Sequence, residues 1–269
     1  MVINQTTRPN TMESLIRDLK AMGIKEGETL LVHSSLSSIG WTCGAQVTVI
    51  KALLNVLGKT GTLVMPAHTA DNSDPAEWQN PPVPREWLVP LYQSLPAFEK
   101  ELTPTRGMGR IAESFRTFPK TLRSDHPQTS FCANGKMAKF ITEDHVLTPQ
   151  FGLDTPIGKL YKMNARVLLL GVGYGNCTSF HLAEVLTKQV PKVKMGTAMT
   201  INGCREWVWF EDLDFDCDDF ELIGNEYEEN GLVTIGKIGE ASCRLFEIRP
   251  AVDFATQWML EHRSIGGLS

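Results

Sequence analysis

His181 and Glu184 stand three residues apart in Cys177-Thr-Ser-Phe-His-Leu-Ala-Glu184, a segment that follows the glycine-rich turn Gly171-Val-Gly-Tyr-Gly175 and the apolar run Val167-Leu-Leu-Leu170. On a helix, residues at this spacing share one face. A carboxylate beside an imidazole holds the ring in one tautomer and stabilises the imidazolium, which is what a general base requires. His-x-x-Glu also occurs as an ordinary surface pair. The setting here favours chemistry, because ligands of α/β sheets sit at the carboxyl ends of strands. Thr178, one turn before His181, is placed to donate a hydrogen bond to a developing oxyanion.

Two other segments carry the residue types that hold phosphates. Ser34-Ser-Leu-Ser-Ser38 follows a short apolar strand, and small hydroxyl residues there can present backbone N–H groups to an anion. The plain alternative is a polar loop. Arg106-Gly-Met-Gly-Arg110 places two glycines between two arginines just before a helix, a second candidate cradle; its plain alternative is a helix start that carries arginines. A dinucleotide reading of 171–176 fails on the residues. The full G-x-G-x-x-G pattern needs glycine at 176, where Asn176 stands, and the βαβ continuation with an acidic residue about 20 positions on is missing. The stretch 210–229 is half Asp and Glu. Most such runs are solvated faces, but here Phe215, Phe220, Leu222 and Ile223 anchor the segment to a core. An anchored carboxylate cluster beside a cleft attracts a polycation, with Asp216, Asp219 and Glu221 as the candidates and Asp71 or Asp74 as additions from elsewhere. The six histidines lie far apart in sequence, and no H-E-x-x-H or C-x-x-C pattern predicts a metal site. A G-x-S-x-G nucleophile elbow is absent.

The elements that must position these residues can be placed by periodicity. Met12, Leu15, Ile16, Leu19 and Met22 recur at helical spacing and predict a helix over 12–22, stopped by Gly23. A strand over 29–33, a loop over 34–41, a helix over 45–57 and a strand over 62–65 form a βαβ unit, which predicts parallel pairing. The Pro-rich residues 66–108, with Trp78 and Trp87, read as a long ordered excursion, and loops of that length are usually functional. Helices are expected over 110–118, over 156–163 behind Thr155 as N-cap, and over 178–190; a strand is expected over 166–172. A hairpin turning at Asn202-Gly203 within 199–210, strands over 231–235 and 241–248, and a helix from Pro250 to about Arg263 complete the chain. The whole reads as a single α/β domain over 1–269 with antiparallel strands added over about 199–249.

Bulk properties set bounds. With 269 residues, 42% hydrophobic and 21% charged, the composition is that of a globular protein with a sizeable core. A net charge of -5 argues against nucleic acid as the main partner. No apolar run is long enough to span a membrane. Six scattered cysteines and an N-terminus without an apolar stretch fit reduced thiols in a cytoplasmic protein.

Taken together, several stretches resemble the aminoglycoside 3-N-acetyltransferase (antibiotic N-acetyltransferase) family, in a bacillus-type member. They are Leu31-Val-His-Ser-Ser-Leu-Ser-Ser-Ile-Gly40, Gly61-Thr-Leu-Val-Met-Pro66, Thr105-Arg-Gly-Met-Gly-Arg-Ile-Ala-Glu-Ser-Phe-Arg116, Arg123-Ser-Asp-His-Pro-Gln-Thr-Ser-Phe131, Asp154-Thr-Pro-Ile-Gly-Lys-Leu-Tyr161, Val167 through Glu184, and Asp219-Phe-Glu-Leu-Ile-Gly224. The resemblance implies a three-layer α/β/α sandwich around a mixed sheet, distinct from the GCN5-like fold. It implies acetyl-CoA as donor, with no metal, and the 3-amine of a 2-deoxystreptamine ring, a polycationic small molecule, as acceptor. The family's catalytic histidine and glutamate map to His181 and Glu184. Ser34, Ser35, Leu36, Arg106, Gly107, Met108, Gly109 and Arg110 fall where coenzyme A is held. Two departures stand out: the family's Asn-Thr-Ser reads Cys177-Thr178-Ser179, and its Met-Gly-Ala reads Met108-Gly109-Arg110, which adds a positive charge. The competing readings are an acyltransferase on another amine, a thioester hydrolase using His181 on water, and a non-catalytic binder of coenzyme A.

Overall fold

A computed structural model describes residues 6–263. The outermost residues of the 1–269 span expected from sequence, 1–5 and 264–269, lie outside the described residues. In chain order the elements are α1 (Met12–Ala21), β1 (Thr29–Ser34), α2 (Leu36–Ile39), α3 (Ala45–Leu57), β2 (Thr62–Pro66), α4 (Leu88–Ser94), α5 (Gly109–Arg116), β3 (Leu122–Arg123), β4 (Phe131–Gly135), α6 (Ala138–Thr142), α7 (Pro156–Lys162), β5 (Arg166–Leu170), α8 (Phe180–Thr187), β6 (Lys192–Ile201), β7 (Cys204–Leu213), α9 (Phe220–Glu229), β8 (Thr234–Ile238), β9 (Ala241–Glu247) and α10 (Ile248–His262).

Seven strands form one sheet in the order β3-β4-β2-β1-β5-β9-β8. The centre is parallel: Leu30 pairs with Leu63 on one side and Arg166 on the other. The flanks are antiparallel. The sheet is mixed, with helices on both faces. The cause is visible in the strands, whose residues are buried on both sides and alternate between two cores. Leu30, Val32, Leu63, Met65, Leu168 and Leu170 pack with α1, α3 and α5. Leu31, Val64, Val167 and Leu169 pack with α6 to α10. A strand covered on both faces needs continuous apolar sequence, which is what the three successive leucines of β5 supply. No helix among the described residues is long and apolar enough to cross a membrane.

Some expectations need correcting. Residues 34–41 are not all loop: Ser35 caps the short α2, its Oγ accepting from Ser38 N at 3.4 Å. The strand expected over 231–235 lies at Thr234–Ile238, because pairing with β9 and not its own pattern fixes its register. Only β8 and β9 of the late antiparallel strands join the main sheet. β6 and β7 form a separate two-stranded ribbon, turning at Asn202 (φ 50) and Gly203 (φ 79) as expected. That ribbon is what orders the Pro-rich excursion. Asn72 exchanges two hydrogen bonds with Ala198, Phe98 N donates to Ala198 O, and Tyr92 packs on Trp207 and Trp209 at ring distances of 4.9 and 5.6 Å. Trp78 donates to Ser73 Oγ, whereas Trp87 stays 57% exposed.

Candidate active site

The carboxyl ends of β1 and β5 open into a cavity of about 710 Å³. That volume suits a small-molecule ligand. β1 delivers His33 and Ser34, and the chain then turns through Ser35 to Ser37 along the wall. Ser35 N donates to Leu170 O, which ties this wall to the end of β5. Gly171 must be glycine: its φ is +71, and a Cβ there would lie 2.6 Å from Ser38 Cβ. The opposing wall is the turn Gly107-Met-Gly-Arg110 at the start of α5. Gly109 adopts φ +80 and passes close to the Ser34 carbonyl, 3.8 Å from a notional Cβ. No side chain caps α5. Its first N–H groups therefore have no capping side chain, and Gly109 and Arg110 of this turn both line the cavity, Arg110 adding a cation. Thr178 and His181 line the same space.

His181 sits in the first turn of α8. Its Nδ1 lies 2.6 Å from Glu184 Oε2, and Glu184 is fully buried. The other carboxylate oxygen, Oε1, accepts from Asp216 N at 2.9 Å and from Arg263 Nη1 at 2.7 Å. The imidazole stacks on Phe151 (4.6 Å between centroids, 20° between planes) and meets the edges of Phe215 and Phe220. The ring is thus fixed in plane, and a carboxylate at Nδ1 favours the tautomer with its proton there. Nε2 has no protein partner among the described residues.

The structure also brings in two groups that sequence reasoning passed over. His33 and His68 line the cavity, and the Nε2 of each is buried without a partner among the described residues. Burial first, and the nearby His181 second, pull both down to about 3. They are neutral donors or acceptors at any ordinary pH. The signal in the sequence was position: His33 is at the carboxyl end of a parallel strand, directly before the serine loop. Cys177 also borders the cavity, but its thiol is pushed up to about 12 by burial, and its Sγ lies 3.0 Å from Ser179 Oγ. A thiol held neutral in this way is a poor nucleophile. Among the described residues no group of three His, Cys, Asp or Glu is placed to hold a metal ion.

Other expected residues are placed differently. Ser34, Ser35, Leu36, Gly107, Met108, Gly109 and Arg110 line the cavity; Arg106 does not. Its guanidinium turns to Asp71 instead, at 3.6 Å in an exposed pair. None of Asp71, Asp216, Asp219 and Glu221 is among the lining residues. Asp219 is engaged elsewhere, both its oxygens accepting from Arg263, at 2.6 and 2.7 Å. Asp216 offers its backbone N–H to Glu184, while one carboxylate oxygen accepts from Asp218 N. Glu221 accepts from Gly175 N at 3.0 Å and so braces the turn before α8.

This chain and its fold have close counterparts among known proteins. The model of the aminoglycoside 3-N-acetyltransferase family matches residues 31–260. The chain is 44% identical over 264 residues to the SPbeta prophage-derived aminoglycoside N(3')-acetyltransferase-like protein YokD of Bacillus subtilis, covering 98% of this chain and 97% of that one. It is 34% identical to aminoglycoside N(3)-acetyltransferase VII of Streptomyces paromomycinus, covering 97% and 95%. Among solved structures, the crystal structure of YokD superposes with a TM-score of 0.96, covering 98% of each chain at 44% identity. AAC-IIIb in its binary complex with CoASH follows at 0.84 and 28% identity, covering 97% of this chain and all of that one. AAC-VIa with bound sisomicin follows at 0.85 and 27% identity, covering 94% and 99%. The chain belongs to the aminoglycoside 3-N-acetyltransferase family.

Proposed function

We propose that this chain transfers the acetyl group of acetyl-CoA to the 3-amino group of 2-deoxystreptamine aminoglycosides, and that His181, oriented by Glu184, is the general base of a direct transfer. The observation that carries the reading is the 2.6 Å contact between His181 Nδ1 and a fully buried carboxylate at the edge of the cavity. It is supported by two related structures, AAC-IIIb in its binary complex with CoASH and AAC-VIa with bound sisomicin.

The chemistry assigns each group a task. An amine attacks a thioester only through its lone pair, so a proton must leave nitrogen as the C–N bond forms and the C–S bond breaks. His181 Nε2 takes that proton and passes it to the departing thiolate. Glu184 keeps the ring's Nδ1–H side fixed and stabilises the imidazolium between the two transfers. Thr178 donates to the oxygen that gains charge, a contribution of about 3 to 4 kcal/mol for such donors. The uncapped start of α5 with Gly107, Met108, Gly109 and Arg110 fits the pyrophosphate of coenzyme A, and the Ser34-Ser35-Leu36 wall faces it. Asp71, Asp216 and Glu221 each keep one carboxylate oxygen without a partner among the described residues, and they supply the negative field for a cationic acceptor. The neutral thiol of Cys177 supports transfer without an acetyl-cysteine intermediate.

Free-thiol release from acetyl-CoA, followed with and without a panel of aminoglycosides, tests the reading. Release only in the presence of an aminoglycoside, with acetylated product, is expected. Release without acceptor would make the protein a thioester hydrolase, and thermal stabilisation by CoA without any release would make it a binder. Arg110→Ala is expected to raise KM for acetyl-CoA about fivefold, the loss of roughly 1 kcal/mol from an exposed charge contact, and to leave KM for the amine nearly unchanged. The opposite pattern in steady-state kinetics would place Arg110 on the acceptor side.

A further inference from the structure

Glu184 is not held by His181 alone. Behind it stands Arg263, the residue that ends α10, and this guanidinium is used almost completely. Nη1 donates to Glu184 Oε1 at 2.7 Å, Nε and Nη2 grip the two oxygens of Asp219 at 2.7 and 2.6 Å, and Nη2 also donates to the Asp216 carbonyl at 2.9 Å. The result is a row of alternating charge, His181–Glu184–Arg263–Asp219, that joins α8, the C-terminal end of α10 and the segment that opens α9.

We propose that Arg263 is a positioning residue of the reaction, holding Glu184 correctly turned toward His181 Nδ1, with Asp219 as the counter-charge that moderates its pull. The proposal rests on the reading of His181 as the base and adds what sets that base. The physical need is plain. A carboxylate with no exposure needs donors at both of its oxygens, and His181 reaches only one of them. A planar fork with several donors is the side chain suited to hold it by geometry as well as charge. The clamp is firm from the arginine's side too. Burial works against the guanidinium, but hydrogen bonds to Asp219 and Glu184 outweigh it and push its pKa up.

The arrangement makes predictions of opposite sign. A cation behind Glu184 draws on the carboxylate's field and so limits how strongly His181 attracts a proton. The other titratable or charged groups around this ring are Glu184 on its own helix, Asp216, Cys217 and Asp219 before α9, and His33 and His68 across the cavity. Arg263→Met removes the cation and leaves Asp219 uncompensated, so His181 titrates at higher pH. Asp219→Asn leaves the guanidinium unneutralised, so His181 titrates at lower pH. Arg263→Lys keeps the charge and loses the fork, so the titration stays near its original place while geometry loosens.

The experiment is an NMR titration of the His181 ring in the full chain and in these variants, alongside kcat and KM. The expected shifts are about half to one pH unit, up for Arg263→Met and down for Asp219→Asn. The expected fall in kcat for Arg263→Met is about 10- to 100-fold, the usual cost of losing a group that orients a reacting one, with KM for acetyl-CoA within about twofold, a change worth only ~0.4 kcal/mol. Should Arg263→Met fail to fold, Asp219→Asn still carries the test by its downward shift. An unmoved His181 titration in the folded variants would overturn the proposal and leave Arg263 as a structural tie. The titration does not depend on turnover, so absence of aminoglycoside-dependent thiol release in the native protein would reject the acetyl-transfer reading separately.

Discussion

Glu184→Ala is expected to unfold more easily than the native protein and to lose turnover. The carboxylate is fully buried and accepts from three donors: His181, Arg263 and the Asp216 backbone. Removing one partner of a buried ionic network typically costs about 3 to 5 kcal/mol. The low end applies, because Arg263 keeps some exposure and retains Asp219. A loss of about 3 kcal/mol is a large part of the 5 to 15 kcal/mol that holds a typical domain, and corresponds to a melting temperature lower by about 6 to 12 °C. Glu184→Gln separates the two roles. The amide oxygen is drawn to Arg263 and the Asp216 N–H, so the amide N–H₂ faces His181 Nδ1. The ring must then accept there and carry its proton on Nε2, the nitrogen that has to be bare. Thermal melting should show a small change and steady-state kinetics a fall in kcat of about 10² to 10⁴. A glutamine variant with native turnover would mean that the tautomer is not set by this contact.

The second large effect is on stability against acid. Four histidines are held well below the ordinary imidazole value, chiefly by burial: His33 and His68 at about 3, His126 at about 4, and His145 far down as well. His126 and His145 are committed structurally. His126 Nδ1 accepts from Gln128 N and Thr129 N, His145 bridges Ser124 Oγ and the Gln150 carbonyl, and the two rings lie 4.6 Å apart. The sign follows from proton counts. Below about pH 6.5 the unfolded chain binds protons at these sites, while the folded protein stays unprotonated until near pH 4 or lower. The unfolded state therefore holds more protons, and stability falls as pH falls through this window. Each histidine contributes a slope of up to about 1.4 kcal/mol per pH unit, and four together up to about 5.5. His68 keeps some access to the cavity and contributes less than the others. Denaturant midpoints between pH 7 and 5, where carboxylates are still mostly ionised, should fall steeply. A flat profile over that range would show that these rings are solvated and not buried.

How much of this was legible in the sequence depends on distance along the chain. His181 and Glu184 lie on one turn of one helix, so their pairing is local and spacing reveals it. The apolar runs of β1, β2 and β5 predict buried parallel strands for the same reason. Arg263 is the contrary case. It is 79 residues from Glu184, and nothing around it marks a helix-ending arginine as part of a site. His33 and His68 share the cavity with His181 only because β1, β2 and β5 end side by side in the sheet. The acidic run shows how a local signal can mislead. Its charges suggested a binding surface, yet Phe220, Ile223, Gly224 and Tyr227 are buried at helical spacing and make 220–229 an amphipathic helix. Asp219, just before it, faces inward to Arg263. Strands β3 and β4 were missed because they are short and β4, Phe-Cys-Ala-Asn-Gly, lacks β-branched residues and alternation. Their place is fixed by pairing with β2.

The central claim is that His181 takes the proton from the attacking amine. Thiol release from acetyl-CoA should be compared for the native protein and His181→Ala at saturating acetyl-CoA and aminoglycoside, with CoA affinity measured by calorimetry on both. His181 contributes one exposed edge to the cavity and no hydrogen bond to the Ser34–Ser35 or 107–110 walls, so CoA affinity should be preserved within about twofold, while turnover falls by about 10² to 10⁴. Native turnover in a His181→Ala variant that binds CoA normally would contradict the account.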